Sequence, residues 1–335
     1  MKYRQLGRTG VSVSELIFGC GSQGGIMINA EPAEMEAAAH RAIKSGVNWF
    51  DTAPQYGDGV SETNLGRILK DLDEKPFVST KVRLGSDNTD DIFGHIERAL
   101  HESLERLQVD KIDLYQLHNG VTMAGDEKSL STMDVLGREG AFDAMEKLRN
   151  QGLFKFIGMT ALGDTGLCRR MIESGRIDVA QVYFNVVNPT ASHPVPRDSF
   201  GQSVKKPSSG QDFTGLLEAC DEWNVGVIAI RTLAAGALAD PNWPGTKSIL
   251  TTDTTWEEDK RKAAAVMELC GDAYGTPAQT ATKFALSFPA VSCVDFAVGN
   301  MAELEDTLAI GDNSQLPEDA LDKLNALYDS DFGKT

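Results

Sequence analysis

Four side chains that can donate, accept or orient protons stand at the ends of three successive apolar segments. Asp51 ends the first segment and Tyr56 follows it in a tight turn, Lys81 ends the second, and His118 follows the third. A tyrosine with an unperturbed pKa of about 10 is a weak acid at neutral pH, but an adjacent ammonium favours its phenolate. We therefore expect Lys81 to lower the pKa of Tyr56 and Asp51 to hold Lys81 charged. His118 would donate a hydrogen bond to the oxygen that Tyr56 protonates.

Each of these residues also has an ordinary structural interpretation. Asp51 could cap the following turn, Lys81 could end a strand in solvent, and Tyr56 could be a half-buried aromatic side chain. A single histidine such as His118 is more often a structural hydrogen-bonding group. Their shared placement at consecutive segment ends is what favours a proton-transfer site.

Short apolar segments alternate with amphipathic stretches along the whole chain, which is typical of repeated β-strand and α-helix units. The pattern predicts eight strands, at residues 16–18, 48–51, 77–81, 112–117, 154–160, 179–184, 226–230 and 294–298. It predicts helices at residues 33–44, 62–69, 91–107, 141–150, 165–173, 213–222 and 262–271, and further helices after residues 276 and 301. Eight parallel strands with as many helices favour a closed α/β barrel, the (β/α)8 TIM barrel, whose strand ends meet at one mouth.

The connections add two features to this barrel. Two short alternating runs flank the turn at residues 7–10 and predict a β-hairpin that would cover the bottom of the barrel. Three connections after strands, at residues 119–139, 186–212 and 237–259, are too long for simple turns. Long loops at this face of a barrel bind ligands. We expect one domain over residues 1–335.

Composition and charge restrict the partners. The chain has 49 Asp and Glu against 32 Lys and Arg, a net charge of −17, which excludes the basic surfaces that bind nucleic acid or anionic membranes. The basic residues at the start are followed by no apolar run and nowhere do about 18 apolar residues occur in succession, so we expect neither a secretory leader nor a membrane-spanning segment. Its five cysteines are scattered without a C-x-x-C pair, which predicts reduced thiols and no zinc site. We expect a cytoplasmic monomer or small homo-oligomer that acts on a small molecule.

Three segments resemble the catalytic motifs of the aldo-keto reductases, namely Phe50-Asp-Thr-Ala-Pro-Gln-Tyr-Gly57, Ser79-Thr-Lys81 and Leu117-His118. Similar segments at residues 3–10, 157–160, 182–185 and 298–299 extend the resemblance over nearly the whole chain. It implies a barrel that binds NADP(H) or NAD(H) across its mouth and transfers hydride between the cofactor and a carbonyl or alcohol. Tyr56 would be the general acid, Lys81 and Asp51 would tune it, and His118 would orient the carbonyl.

The resemblance also implies a set of cofactor-binding residues. Asp51 would lie near the nicotinamide ribose, and Thr160 and Gln181 would contact the carboxamide. The end of the seventh strand resembles the stretch that wraps the pyrophosphate, unless it is simply a buried strand followed by a loop. The residues implied there and at the C-terminal motif are Arg231, Leu233, Gly236, Leu238, Gly299, Asn300, Glu303 and Asp306.

Three positions depart from the family's pattern. Ala161 replaces an asparagine that commonly holds the carboxamide, and Ile230 replaces an aromatic ring against the nicotinamide. Glu303 stands where relatives have a basic residue for the 2′-phosphate of NADPH. A carboxylate disfavours that phosphate but can accept a hydrogen bond from a 2′-hydroxyl, which predicts use of NADH. Alternatively, Lys247 or Arg231 supplies the basic group.

Three interpretations of the function stay open. The stretch at residues 227–238 is closer to the sugar-dehydrogenase-like members of the family, which favours a sugar or polyol substrate. The same fold also serves as a non-catalytic, cofactor-binding regulatory subunit of ion channels. A lyase that forms a Schiff base on Lys81 is the third, although a partnered lysine argues against a nucleophilic one.

Overall fold

The structure, a computed structural model, describes residues 1–127, 129–194, 199, 210–240 and 254–334. The strands in these residues are β1 (Tyr3–Gln5), β2 (Ser12–Ser14), β3 (Leu16–Gly19), β4 (Trp49–Asp51), β5 (Phe77–Val82), β6 (Ile112–Leu117), β7 (Gly120–Thr122), β8 (Ser129–Ser131), β9 (Phe154–Thr160), β10 (Val179–Tyr183), β11 (Gly226–Ile230) and β12 (Cys293–Phe296). The α-helices are α1 (Ile26–Asn29), α2 (Pro32–Lys44), α3 (Val60–Asp71), α4 (Ile92–Leu107), α5 (Thr132–Leu136), α6 (Ala141–Asn150), α7 (Thr165–Glu173), α8 (Leu216–Glu222), α9 (Trp256–Cys270), α10 (Pro277–Leu286), α11 (Met301–Leu308) and α12 (Glu318–Asp329).

Eight of these strands form a closed barrel, which confirms the predicted fold. Their order around the barrel is β3, β4, β5, β6, β9, β10, β11 and β12, and β12 pairs with β3 again. All eight pairings are parallel. The carboxyl ends of the strands therefore share one mouth.

The predicted N-terminal hairpin closes the other end. Strands β1 and β2 pair antiparallel, and the hairpin buries Leu6 and Val13 completely. These two side chains pack on inward residues of the barrel strands to form an apolar floor, which consists of Leu6, Val13, Ile17, Trp49, Leu114, Val179, Ile228 and Cys293. Burial of one such large side chain stabilises a fold by roughly 1.5–3 kcal/mol. The hairpin thus seals the bottom of the barrel.

A polar layer lies above this floor. Side chains alternate between the two faces of a strand, so each inward floor residue is followed two positions later by another inward residue. On β4 this places Asp51 after Trp49, and on β6 it places Gln116 after Leu114. Strand β5 contributes both Ser79 and Lys81, and all four side chains are buried. The sequence therefore changes from apolar to polar as the strands approach the mouth.

The long connections differ in how far the structure describes them. The connection at 119–139 was expected to be a loop, but it holds β7, β8 and α5. Helix α5 forms because Ser131 and Asp134 make a reciprocal capping box. The other two connections lie partly outside the described residues, as does Lys247.

Other helices also differ from the prediction. Helix α9 begins at Trp256 rather than at residue 262, because the Thr255 side chain caps it by accepting the Glu258 backbone N–H. Helices α1 and α12 were not predicted. No helix in the described parts of the chain has both the length and the apolar character needed to span a membrane.

Candidate active site

A hydrogen-bonded group formed by Asp51, Lys81 and Tyr56 lies at the mouth of the barrel. The Lys81 ammonium is fully buried and donates to the Asp51 carboxylate. It also donates to the backbone oxygen of Thr52 at 2.8 Å and to the Tyr56 hydroxyl at 3.2 Å. The three residues that the sequence predicted from separate segment ends are thus in direct contact.

Short-range structure brings Tyr56 to this position. Strand β4 ends at Asp51, and the chain then turns tightly, with the Tyr56 N–H donating to the Ala53 backbone oxygen at 3.1 Å. Gly57 follows with a φ of +64°, in the left-handed region that favours glycine. A Cβ atom at Gly57 would also lie 2.8 Å from the side chain of Ile28. The glycine therefore allows the turn that aims Tyr56 back at the ends of the strands.

Two further polar residues hold the Asp51 carboxylate. The Ser79 hydroxyl donates to Oδ1 of Asp51 at 2.5 Å, and the Gln116 amide donates to the same oxygen at 3.0 Å. Nε1 of Trp49 in turn donates to Oγ of Ser79 at 2.9 Å. Sequence reasoning missed Ser79 and Gln116. The available signal was their spacing, since each lies two residues before Lys81 or His118 and so points into the barrel as they do.

Burial and the neighbouring charges both shift the pKa values of Lys81 and Tyr56. Burial lowers the pKa of Lys81, but Asp51, Tyr56 and Asp295 outweigh burial and raise this pKa above its ordinary value. Burial raises the pKa of Tyr56. Lys81 lowers this pKa, whereas Asp51 and Asp295 raise it further. The pKa of Tyr56 is therefore raised overall, and the expectation of a lowered value was wrong because it left out burial. Lys81 stays charged and Tyr56 keeps its proton at neutral pH.

His118 stands beside Tyr56 at the same mouth. The two rings meet edge to face with their centroids 6.1 Å apart, and Nδ1 of His118 lies 3.4 Å from Oε1 of Gln55. Burial, followed by the charges of Lys81 and Arg83, lowers the pKa of His118 to about 3. The imidazole is therefore neutral at physiological pH and carries one N–H. It can orient a polar oxygen without adding a positive charge.

A second polar pair lies across the barrel, on β9 and β10. The Thr160 hydroxyl donates to Oε1 of Gln181 at 3.2 Å, and both side chains are buried. Nε2 of Gln181 is also buried and has no hydrogen-bond partner among the described residues. An unsatisfied buried N–H group is costly. The pair fits a nicotinamide carboxamide, whose oxygen would accept from Gln181, while Ala161 offers no side-chain hydrogen bond.

The chain after β11 has an unusual backbone. Arg231, Ala234 and Ala235 have φ angles of +57°, +47° and +56°, a region that non-glycine residues seldom adopt. Gly236 follows with a φ of +103°. Such strain clusters at ligand-binding segments. Leu238 is buried, whereas Leu233 is partly buried and packs against the core.

Arg231 is the first residue of this segment. Burial lowers the pKa of Arg231, and the charges of Tyr183 and Tyr56 act in the opposite direction. Ile230, which precedes Arg231, packs against the apolar floor.

The predicted C-terminal motif forms the start of α11. Glu303 accepts hydrogen bonds from the Gly299 N–H at 2.7 Å and from the Asn300 amide at 2.9 Å. Asn300 caps the helix by accepting the Glu303 N–H at 3.0 Å. Hydrogen bonds thus join all three residues, and they fix the Glu303 carboxylate at the N-terminus of α11.

Asp306 faces away from the N-terminus of α11. Its carboxylate accepts from Thr276 at 2.8 Å and from Gln279 at 3.1 Å. Asp306 therefore joins α11 to α10, whose first turn contains Gln279. In the described part of the chain, no group of three or more His, Cys, Asp or Glu side chains is placed to hold a metal ion.

Comparison with known proteins agrees with this geometry. The family model described as "Aldo/keto reductase family" matches residues 15–329. The chain belongs to this family. It is 26% identical to L-galactose dehydrogenase of Arabidopsis thaliana over 318 residues, which cover 92% of this chain and 88% of that protein.

Solved structures of aldo-keto reductases have the same fold. The holo form of one from Bacillus halodurans superposes with a TM-score of 0.72 at 20% identity, covering 98% of this chain and 96% of that one. An aldo-keto reductase of Klebsiella pneumoniae in complex with NADPH gives a TM-score of 0.68 at 21% identity, covering 98% and 95%. At these identities the likeness shows the fold alone.

Proposed function

We propose that this aldo/keto reductase is an NAD(P)(H)-dependent oxidoreductase that interconverts a carbonyl and an alcohol, with Tyr56 as general acid and base. The observation that carries the proposal is the buried Lys81 ammonium, which contacts both the Tyr56 hydroxyl and the Asp51 carboxylate. This arrangement can release a proton at one oxygen and stabilise the anion that remains.

In the reducing direction the reaction needs one hydride and one proton. A nicotinamide cofactor held by Thr160 and Gln181 would supply the hydride for the carbonyl carbon. The Tyr56 O–H donates its proton to the carbonyl oxygen, and its own oxygen becomes a phenolate that the Lys81 ammonium stabilises. The neutral His118 ring donates a hydrogen bond to the same substrate oxygen. Solvent then returns a proton to Tyr56, and oxidation of an alcohol reverses these steps.

The chain's own residues support a nicotinamide cofactor at this mouth. Gln181 and Thr160 would hold the carboxamide, and the buried Gln181 Nε2 without a partner is the observation that supports this fit. The strained segment at residues 231–236 would follow the pyrophosphate, together with Leu238. Asp51 would lie near the nicotinamide ribose.

Glu303 supports a preference for NADH over NADPH. Its carboxylate is fixed beside Gly299 and Asn300, where it would face a 2′-phosphate but could accept a hydrogen bond from a 2′-hydroxyl. Values of kcat/KM with both cofactors test this preference, and Glu303→Gln is the matched variant that removes only the charge. We expect Glu303→Gln to improve the use of NADPH. A preference of the native enzyme for NADPH of about a hundredfold would contradict the proposal.

For the substrate we propose a sugar or polyol. The support is the similarity to L-galactose dehydrogenase over 92% of the chain. A panel of sugars, aldehydes, ketones and aromatic alcohols, run with both cofactors in both directions and followed by nicotinamide absorbance, tests the substrate class. Turnover of aromatic alcohols alone would exclude the sugar class.

The same panel separates the enzyme from a regulatory subunit. A non-catalytic subunit binds the cofactor but turns over nothing, whereas the proposed enzyme loses turnover in Tyr56→Phe and keeps cofactor binding. The lyase interpretation is weakened because Lys81 remains charged, which leaves no nitrogen lone pair for a Schiff base. The single domain, the cytoplasmic location and the monomeric or small oligomeric state stay predictions.

A further inference from the structure

Asp295 brings a second carboxyl group to the Asp51–Lys81 pair. It is the third residue of β12 and pairs in register with Ile17 of β3, whereas Asp51 pairs with Gly19 on the opposite edge of β3. Gly19 thus lies between the two acidic residues in the barrel wall. A Cβ atom at Gly19 would be 2.3 Å from Oδ1 of Asp295. The missing side chain leaves the space through which Asp295 reaches towards Asp51.

The Asp295 carboxyl group has an unusual environment. Its Oδ1 is buried and has no hydrogen-bond donor among the described residues. The strand register across Gly19 brings the group towards Asp51. Burial raises the pKa of Asp295, and the charge and side-chain hydrogen bond of Asp51 both raise it further. Two ionised carboxylates only accept hydrogen bonds, so they repel each other at such a contact. One proton between them turns this repulsion into a hydrogen bond.

The surroundings define which charges act on this pair. The titratable groups that face Asp295 are Asp51 on β4, Tyr56 in the turn after β4, Lys81 on β5, and the buried thiols of Cys20 and Cys293. Strand β11, the other neighbour of β12, has the apolar residues Ile228 and Ile230 in this region. Lys81 is the one cation among these groups, and Asp51 already pairs with it.

We propose that Asp295 is a positioning residue of the active site that shares one proton with Asp51 across the space left by Gly19. While this proton is present, the charges of Asp51 and Lys81 balance. When it is lost in alkaline solution, Asp295 adds a negative charge near Tyr56 and holds the phenol in its protonated form. Asp295 therefore extends the pH range in which Tyr56 can act as an acid.

The direction of this effect follows from electrostatics. Burial, followed by the charge of Asp51, raises the pKa of Asp295 well above its ordinary value, and Lys81 opposes them. The charge of Asp295 in turn raises the pKa of Tyr56. Removal of the Asp295 charge should therefore allow Tyr56 to ionise at lower pH. The effect on Tyr56 rests on the proposed function, but the shared proton does not.

Infrared spectroscopy tests the shared proton without any turnover. A protonated carboxyl group has a C=O stretching band that shifts in D₂O, and we expect such a band in the native protein from about pH 6 into the alkaline range. Asp295→Asn should lose the band. Asp51→Asn keeps Asp295 but removes its like-charged neighbour, so its band should disappear at lower pH. A native protein without this band at neutral pH would overturn the proposal, even if Asp295→Asn fails to fold.

The pH dependence of turnover tests the effect on Tyr56. We expect the alkaline limb of kcat/KM for carbonyl reduction to move down by about one pH unit in Asp295→Asn. Glu62→Gln is the matched control, because Glu62 is an equally buried carboxylate that pairs with Arg106 outside the barrel. Glu62→Gln should lower the stability of the protein and leave the alkaline limb of kcat/KM at its native pH. If kcat/KM of Asp295→Asn falls by the same factor at every pH, Asp295 has only a structural role.

The two experiments separate the two proposals. If no substrate is turned over but the carboxyl band behaves as expected, the proposed function fails and the shared proton stands. If turnover follows Tyr56 as proposed but the band is absent, the oxidoreductase stands and the role of Asp295 is overturned.

Discussion

Replacement of Lys81 by methionine should lower turnover and shift its pH profile. Lys81 lies 3.2 Å from the Tyr56 oxygen, and a charge pair at that separation is worth about 5 kcal/mol at an effective dielectric constant of about 20. The phenolate forms only partly in the transition state of reduction. If half of this energy is lost there, turnover falls by about 10².

The pH profile should also move. Lys81 is the group that lowers the pKa of Tyr56, so its removal raises this pKa further. Oxidation of an alcohol needs the phenolate, and its profile should shift to higher pH by about one to three units.

The assay is kcat/KM against pH in both directions, measured by nicotinamide absorbance. Lys155→Met is the matched control, since Lys155 makes a 2.7 Å ion pair with Asp113 while its side chain is half exposed. Exposed pairs contribute little, about 0–1 kcal/mol. An unmoved pH profile in Lys81→Met would refute the reasoning that Lys81 sets the acidity of Tyr56.

Three other substitutions test neighbouring parts of the site. Tyr56→Phe should lower turnover by about 10²–10⁴ with unchanged cofactor affinity in a fluorescence titration, because only proton transfer is lost; near-native turnover would disprove its role. His118 has a pKa of about 3 in the folded protein and about 6.5 when unfolded. The unfolded chain therefore binds a proton that the folded protein does not, so the free energy of unfolding falls as the pH drops from 6.5 to about 3. The melting temperature of His118→Gln should fall less over this range. Gln181→Leu should weaken cofactor binding in the same fluorescence titration, while an unchanged affinity would mean that its free amide does not bind the carboxamide.

The barrel and the meeting of the four proton-active residues could be predicted from the sequence. The strands are marked by apolar segments between helical patterns, and a parallel barrel necessarily gathers the ends of its strands. Asp51, Lys81 and His118 stand at those ends, so their neighbourhood follows from topology without knowledge of any contact.

The remaining parts depend on packing that one segment does not reveal. Ser79 and Gln116 look like isolated polar residues within strands until the barrel turns them towards Asp51. Asp295 is distant in the chain, and its approach to Asp51 depends on an absent side chain at Gly19. The raised pKa of Tyr56 depends on burial, which the sequence motif does not encode.

The apolar floor has a consequence for the stoichiometry of each catalytic cycle. Because Leu6 and Val13 seal one end of the barrel, the polar layer exchanges protons with bulk water only at the opposite end, where substrate and cofactor would also enter. Once both have entered, Asp51, Lys81, Tyr56 and Asp295 would receive no proton from bulk water until a product leaves. Each cycle would then use one proton already held in the barrel. Bulk water would have to reach the mouth again before the next cycle.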